Sequence, residues 1–171
     1  MIFDYKGKRP KIGSNVFIAP TAVVIGDVEI MDNANIWYGS VVRGDRDSIT
    51  IGMNTNIQDN CTVHIDPGYP VKIGHNVTIT HRAVDHGCTI EDRSLIGIGA
   101  IVLNGARVKE GSIVGSGAVV RQQQVVGAYQ LFAGVPAVLK KELDETAIER
   151  NLRSSKNYVK LARAHRNNKP L

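Results

Sequence analysis

Three of the five histidines, His64, His81 and His86, carry the chemistry that this sequence offers. They fall in Cys61-Thr62-Val63-His64 and in Thr80-His81-Arg82-Ala83-Val84-Asp85-His86-Gly87-Cys88. Three neutral imidazoles around one cation, with a fourth position open, form a catalytic zinc arrangement. Such a centre lowers the pKa of its water to about 7 and supplies hydroxide at neutral pH. The same three residues could also be separate surface histidines, and spacing alone leaves both readings open. His75 and His165 are expected to face solvent. The two cysteines, Cys61 and Cys88, form no CxxC pair and are expected as small buried thiols in a reducing cytosol.

What positions these residues is a repeat. An aliphatic side chain returns every sixth residue as Ile12, Ile18, Val24, Ile30, Ile36 and Val42. The series resumes at Ile51, Ile57, Val63, Ile73 and Ile79, then at Ile90, Ile96, Val102, Val108, Val114 and Val120. A period of six fits neither a helix nor a half-buried strand. It predicts an all-β solenoid, a parallel β-helix of hexapeptide repeats in which three short strands make one triangular coil. Small residues four positions after the aliphatic one, such as Ala34, Cys61, Ala83, Ala100 and Ala118, suit tight corners. Residues about 18 apart then stack one above another. Each of the three histidines follows its inward position by one or two residues and so points outward near a corner. In a three-fold trimer, each interface would gather histidines from two subunits.

The repeats run from about residue 10 to 133, with interruptions near Arg43–Thr50 and Asp66–Val71. The first unit is taken as residues 1–137. Residues 138–171 are expected as a C-terminal helical segment that packs on the β-helix. Its helix spans about 143–165, with the stripe Leu143, Ala147, Ile148, Leu152, Ser155, Val159 and Ala162. Acids at its start and bases at its end suit the helix dipole. Pro136 is a candidate cis proline, and residues 167–171 are expected to fray.

The net charge of +5 gathers largely between Lys140 and Lys169, interleaved with acids, and the few aromatics do not accompany it. That pattern predicts a solvated helix face and no nucleic-acid partner. No secretory signal opens the chain and no run nears the roughly 18 apolar residues of a membrane span. A cytoplasmic protein with no membrane partner is the expectation.

Arg43-Gly44-Asp45, Asn56-Ile57-Gln58-Asp59-Asn60, His64 and His81-x4-His86-Gly87-Cys88 together resemble the gamma-class carbonic anhydrases and their bacterial relatives. The resemblance covers nearly the whole chain, including the C-terminal helix. It implies a homotrimer of left-handed β-helices that interconverts carbon dioxide and bicarbonate as a lyase, with sites at the subunit interfaces. It implies that His64 and His86 of one subunit and His81 of the next bind zinc, with iron(II) or cobalt as possible occupants. Gln58 would hydrogen-bond the metal-bound water and Asn56 would orient Gln58. Arg43, Asp45 and Asp59 would form charged pairs across the interface, and Tyr158 would line the pocket of a neighbouring site. Each also has a structural reading: Arg43 and Asp45 as trimer contacts, Gln58 as a corner hydrogen bond, Tyr158 as helix packing.

Three residues depart from the family pattern. Thr80 stands where relatives usually have Gly, and Asp85 where they usually have an aliphatic residue. Arg46 follows Asp45 where a glutamate might, which leaves Asp66 as the only acid in the short excursion after His64. Asp85 occupies an inward position, so either Val84 replaces it in the core, or it is buried and paired, or it acts on His86. Two other functions fit the repeat: an acyl-CoA-dependent hexapeptide acyltransferase with a histidine base, and a non-catalytic metal-binding trimer.

Overall fold

The structure, a computed structural model, describes residues 1–166; the expected fraying of 167–171 lies outside the described residues. The aliphatic positions do line one interior. Ile30, Ile36, Ile51, Ile57, Ile79, Ile90 and Ile96 are all 0–1 % exposed. Burying each such side chain contributes about 1.5–3 kcal/mol, and repetition of that term down the axis holds the solenoid together. The fold is a left-handed parallel β-helix of about 7 turns with a single C-terminal helix.

Three walls enclose the core, and their registers follow the repeat. Val42, Val63, Asp85, Val102 and Val120 are successive partners in the first wall. Ile30, Ile51, Ile73, Ile90 and Val108 form the second. Ile18, Ile36, Ile57, Ile79, Ile96, Val114 and Phe132 form the third. At corner after corner, a residue with positive φ precedes the small one: Asn33, Asn54, Asn60, Asn76, Arg82 and Arg93, then Gly99, Gly105, Gly111 and Gly117. Asn and Gly dominate because they tolerate the left-handed region best. The small residues behind them are buried as expected.

The interruption near Arg43–Thr50 is not a break. Val41–Ile51 is one continuous strand, paired to Val23–Ile30 on one side and to Thr62–His64 and Val71–Ile73 on the other. The extra residues widen one corner, and the ladder absorbs them through a register shift between Gly26 and Val28. The second interruption does leave the coil, as a tight turn bridged between Asp66 and Tyr69. Its Gly68 N–H donates to Asp47 Oδ2 at 3.1 Å, which ties the turn to the wide corner beneath.

The Val135–Pro136 bond is cis. The strand Val138–Glu142 then adds antiparallel to Gln130–Ala133, an element the sequence reading did not separate from the C-terminal segment. The helix spans Glu145–Arg166. Asp144 Oδ1 accepts from the Ala147 N–H at 2.9 Å and caps its first turn. The helix packs on the third wall through Asn151, Ser155 and Ala162, small enough for close approach. His165 does not face solvent: its ring packs against Trp37 at 4.9 Å, and its Nδ1 lies 3.1 Å from the Tyr38 hydroxyl. His75 is likewise engaged, its Nδ1 accepting from the Met53 N–H at 2.9 Å. Among the described residues, no helix is long and apolar enough to cross a membrane.

Candidate metal centre

His64 and His86 are register partners on adjacent coils of the first wall, so both rings leave the prism on one face. His64 Nδ1 and His86 Nε2 lie 3.0 Å apart. Each ring has an acceptor on its far side. His64 Nε2 is 3.0 Å from Asp45 Oδ1, and His86 Nδ1 is 2.6 Å from Asn104 Oδ1. A carboxylate can only accept, so His64 carries its proton on Nε2, and donation to the amide oxygen places the His86 proton on Nδ1. The two facing nitrogens are therefore bare lone pairs. Two lone pairs at this distance repel unless a cation lies between them. Nitrogens bound to one tetrahedral zinc sit roughly 3.3 Å apart, so the donor pair fits such an ion.

His81 stands elsewhere, on the corner between the third and first walls. Its Nδ1 is 2.9 Å from Asp59 Oδ2, and its side chain is 43 % exposed. Asp59 thus approaches His81 at ion-pair distance, without the hydrogen bond that joins Asp45 to His64. Among the described residues, no three or more His, Cys, Asp or Glu side chains converge as one chain's metal site. One chain brings together two of the three expected ligands.

The charged residues pair inside the chain. Arg43 bonds Asp45, which also holds His64. Burial pushes the Asp45 carboxyl up, but hydrogen bonds from Arg43 and His64 outweigh it and leave the pKa lowered. Burial lowers the His64 pKa against the pull of Asp45, and Arg43 adds to the lowering. Both directions favour a neutral imidazole beside an ionised carboxylate, the state a metal requires.

Gln58 and Asn56 are buried on the third wall. Asn56 Nδ2 donates to the Val77 carbonyl and to Thr78 Oγ1, at 3.2 and 3.0 Å. Its oxygen therefore faces Gln58, whose Nε2 donates to it at 3.0 Å. The Gln58 carbonyl is the end of that amide turned away from Asn56. Tyr158 stacks edge-on against Trp37, with ring centres 5.3 Å apart. Burial raises its phenol pKa, and the nearby Asp59 adds to this.

Asp85 is buried in the core column between Val63 and Val102, and neither carboxylate oxygen has a hydrogen-bond partner. Val84 does not replace it. Burial pushes its pKa up to about 7. Both cysteines are buried free thiols; burial raises Cys61 to about 12 and Cys88 well above the usual value. Thr80 donates to the Ile96 carbonyl at 2.7 Å, which satisfies its hydroxyl at this corner.

Sequence reading missed Asn104. The signal was present: it lies 18 residues after His86, one coil higher in the same column. Gly87 belongs to the same arrangement. Its φ is +57°, and a Cβ there would come 2.5 Å from Asn104 Oδ1 and 2.8 Å from Tyr69 Cβ.

Comparison with known proteins places this geometry in context. The bacterial transferase hexapeptide (six repeats) family matches residues 9–44 and 87–122. A mitochondrial gamma carbonic anhydrase 2 of Arabidopsis thaliana is 41 % identical over 170 residues, which cover 96 % of this chain and 60 % of that protein. A carbonic anhydrase of Geobacillus kaustophilus is 40 % identical over 159 residues, 93 % of this chain and 87 % of its own length. The crystal structure of a hexapeptide transferase family protein from Anaplasma phagocytophilum superimposes with a TM-score of 0.93 at 40 % identity, covering 96 % of this chain and 97 % of that one. The chain spans 60 % and 64 % of the two Arabidopsis relatives that it matches over nearly its whole length.

Proposed function

This chain belongs to the gamma-class carbonic anhydrase family, and we propose on that premise that it hydrates carbon dioxide reversibly to bicarbonate at zinc centres shared between the subunits of a homotrimer. The observation that carries the reading is the facing pair of bare imidazole nitrogens on His64 and His86, 3.0 Å apart. His81 of a neighbouring subunit supplies the third ligand in this reading, because within its own chain it stands on another corner and is 43 % exposed.

Zinc, when bound, supplies an acidified water as the nucleophile. The chain's residues do the rest. Asp45 and Asn104 hold the His64 and His86 rings in the ligating tautomers, and Asp59 lies at ion-pair distance from His81. Asn56 fixes the Gln58 amide, whose carbonyl would be the group to accept a hydrogen bond from that water and orient it. Arg43 keeps Asp45 ionised and so keeps the His64 proton on Nε2. Iron(II) or cobalt suits the same nitrogen donors.

Proton export is the weak point. The Asn104 hydrogen bond, helped by Arg46, holds Asp66 below the usual carboxylate range. A carboxylate so held is a poor proton acceptor, and buffer takes the proton instead. An acyltransferase reading needs a histidine nitrogen free to take a proton from an acceptor. In this chain the bare nitrogens of His64 and His86 face each other 3.0 Å apart, an arrangement that suits a shared cation better than the approach of an acceptor hydroxyl.

Stopped-flow carbon dioxide hydration by the purified protein, with zinc content quantified, tests the reading. Activity that rises with buffer concentration and disappears in His86→Ala is the expected result. Bound zinc at one per subunit without hydration would reject the catalytic role and leave a metal-binding trimer.

A further inference from the structure

We infer that Asn104, held by Asp66, is a positioning residue that sets the tautomer of His86. Asp66 Oδ2 accepts from Asn104 Nδ2 at 3.0 Å, and its other oxygen is 3.0 Å from Arg46 Nη1. The carboxylate has no proton to give, so the amide must present its NH2 to Asp66 and its oxygen to His86. Turning the amide over would set its oxygen against the carboxylate and its NH2 against a ring nitrogen that is then forced to accept. The proton consequently resides on His86 Nδ1, and Nε2 is bare toward His64.

The fold builds this bracket from three successive features of one column. His64, His86 and Asn104 lie on adjacent coils, and Gly87 leaves the space that the Asn104 oxygen fills. Asp66 comes from the turn that leaves the coil after His64, and that turn is pinned by Asp47 to the Gly68 N–H. The interruption of the repeat thereby brings a carboxylate alongside the next coil. The consequence for metal affinity rests on the zinc reading above; the tautomer itself does not.

The test uses the full-length chain. Long-range proton–nitrogen spectra of the metal-free protein report which His86 nitrogen carries the proton, and competition with a chromophoric chelator reports zinc affinity. Wild type is expected in the Nδ1–H form. Asn104→Leu should give mixed tautomers and lose about 10- to 100-fold in zinc affinity. Asp66→Asn, at a partly exposed turn where folding is little at risk, should move both readouts in the same direction by less. The exchange variant Asn104→Asp with Asp66→Asn returns a fixed acceptor to His86 and should restore both. Wild type in the Nε2–H form, or folded single variants that keep the Nδ1–H ring and wild-type affinity, would overturn the inference. Wild type with the Nδ1–H ring but no zinc binding would remove the metal reading and leave the inference standing.

Discussion

Asp85 shows what one residue can cost a repeat fold. It stands in a column of valines with no partner for either oxygen, so the folded state favours the protonated acid. Its folded pKa of about 7 is raised above the ordinary 3.8. The folded protein therefore binds the proton more tightly, and stability falls as pH rises from about 4 to 7. Above 7 the loss is complete, on the order of 4 kcal/mol for a shift of about three units. Asp85→Val should flatten this slope. Urea unfolding of chelator-treated protein is expected to show the variant's advantage over wild type smallest near pH 4 and larger by several kcal/mol at pH 8. Equal slopes in the two proteins would mean that Asp85 finds a partner in solution.

At the scale of elements, the corners and the helix are governed by different physics. The corners need a left-handed residue, and most have Asn or Gly. Gln123, exposed at φ +58°, carries a longer side chain in that conformation. Gln123→Gly removes this strain, partly offset by the entropy of glycine, and should stabilise the protein by about 0.5–1 kcal/mol in a denaturant titration. The helix is held by shape. Ser155 and Ala162 let it lie close to the third wall, and Tyr158 and His165 lock it against Trp37. Of the stripe expected from the sequence only Ser155 and Ala162 are buried; Ala147, Ile148, Leu152 and Val159 are half-buried, and Asn151, outside the stripe, is buried instead. Periodicity marks the buried face but does not reveal which small polar side chains seat closest.

At the scale of the molecule, the proposed zinc centre would need a second copy of the chain. If each zinc centre takes His64 and His86 from one subunit and His81 from the next, then His81→Ala and His86→Ala proteins should each bind little zinc. Co-refolded in equal amounts, they should regain about a quarter of the wild-type centres, because random assembly gives that share of interfaces both intact halves. Zinc content after size-exclusion chromatography measures this. A mixture no better than its components would argue against shared sites.

The six-residue period determined the coil by itself, because an inward aliphatic residue at every turn admits one stacking and so fixes which residues share a column. That sufficed to bury Cys61 and to place Asp85 in the core. The spacing did not determine how the interruptions are used, since extra residues can widen a corner or leave the coil at similar cost. Tertiary structure decided that Val41–Ile51 remains a strand and that the Asp66 turn folds back beside Asn104. It also decided that Asp45 and Asp59 stand behind histidines of their own chain. Hydrogen-bond direction depends on ångström-scale placement across coils, which a period of six residues does not encode.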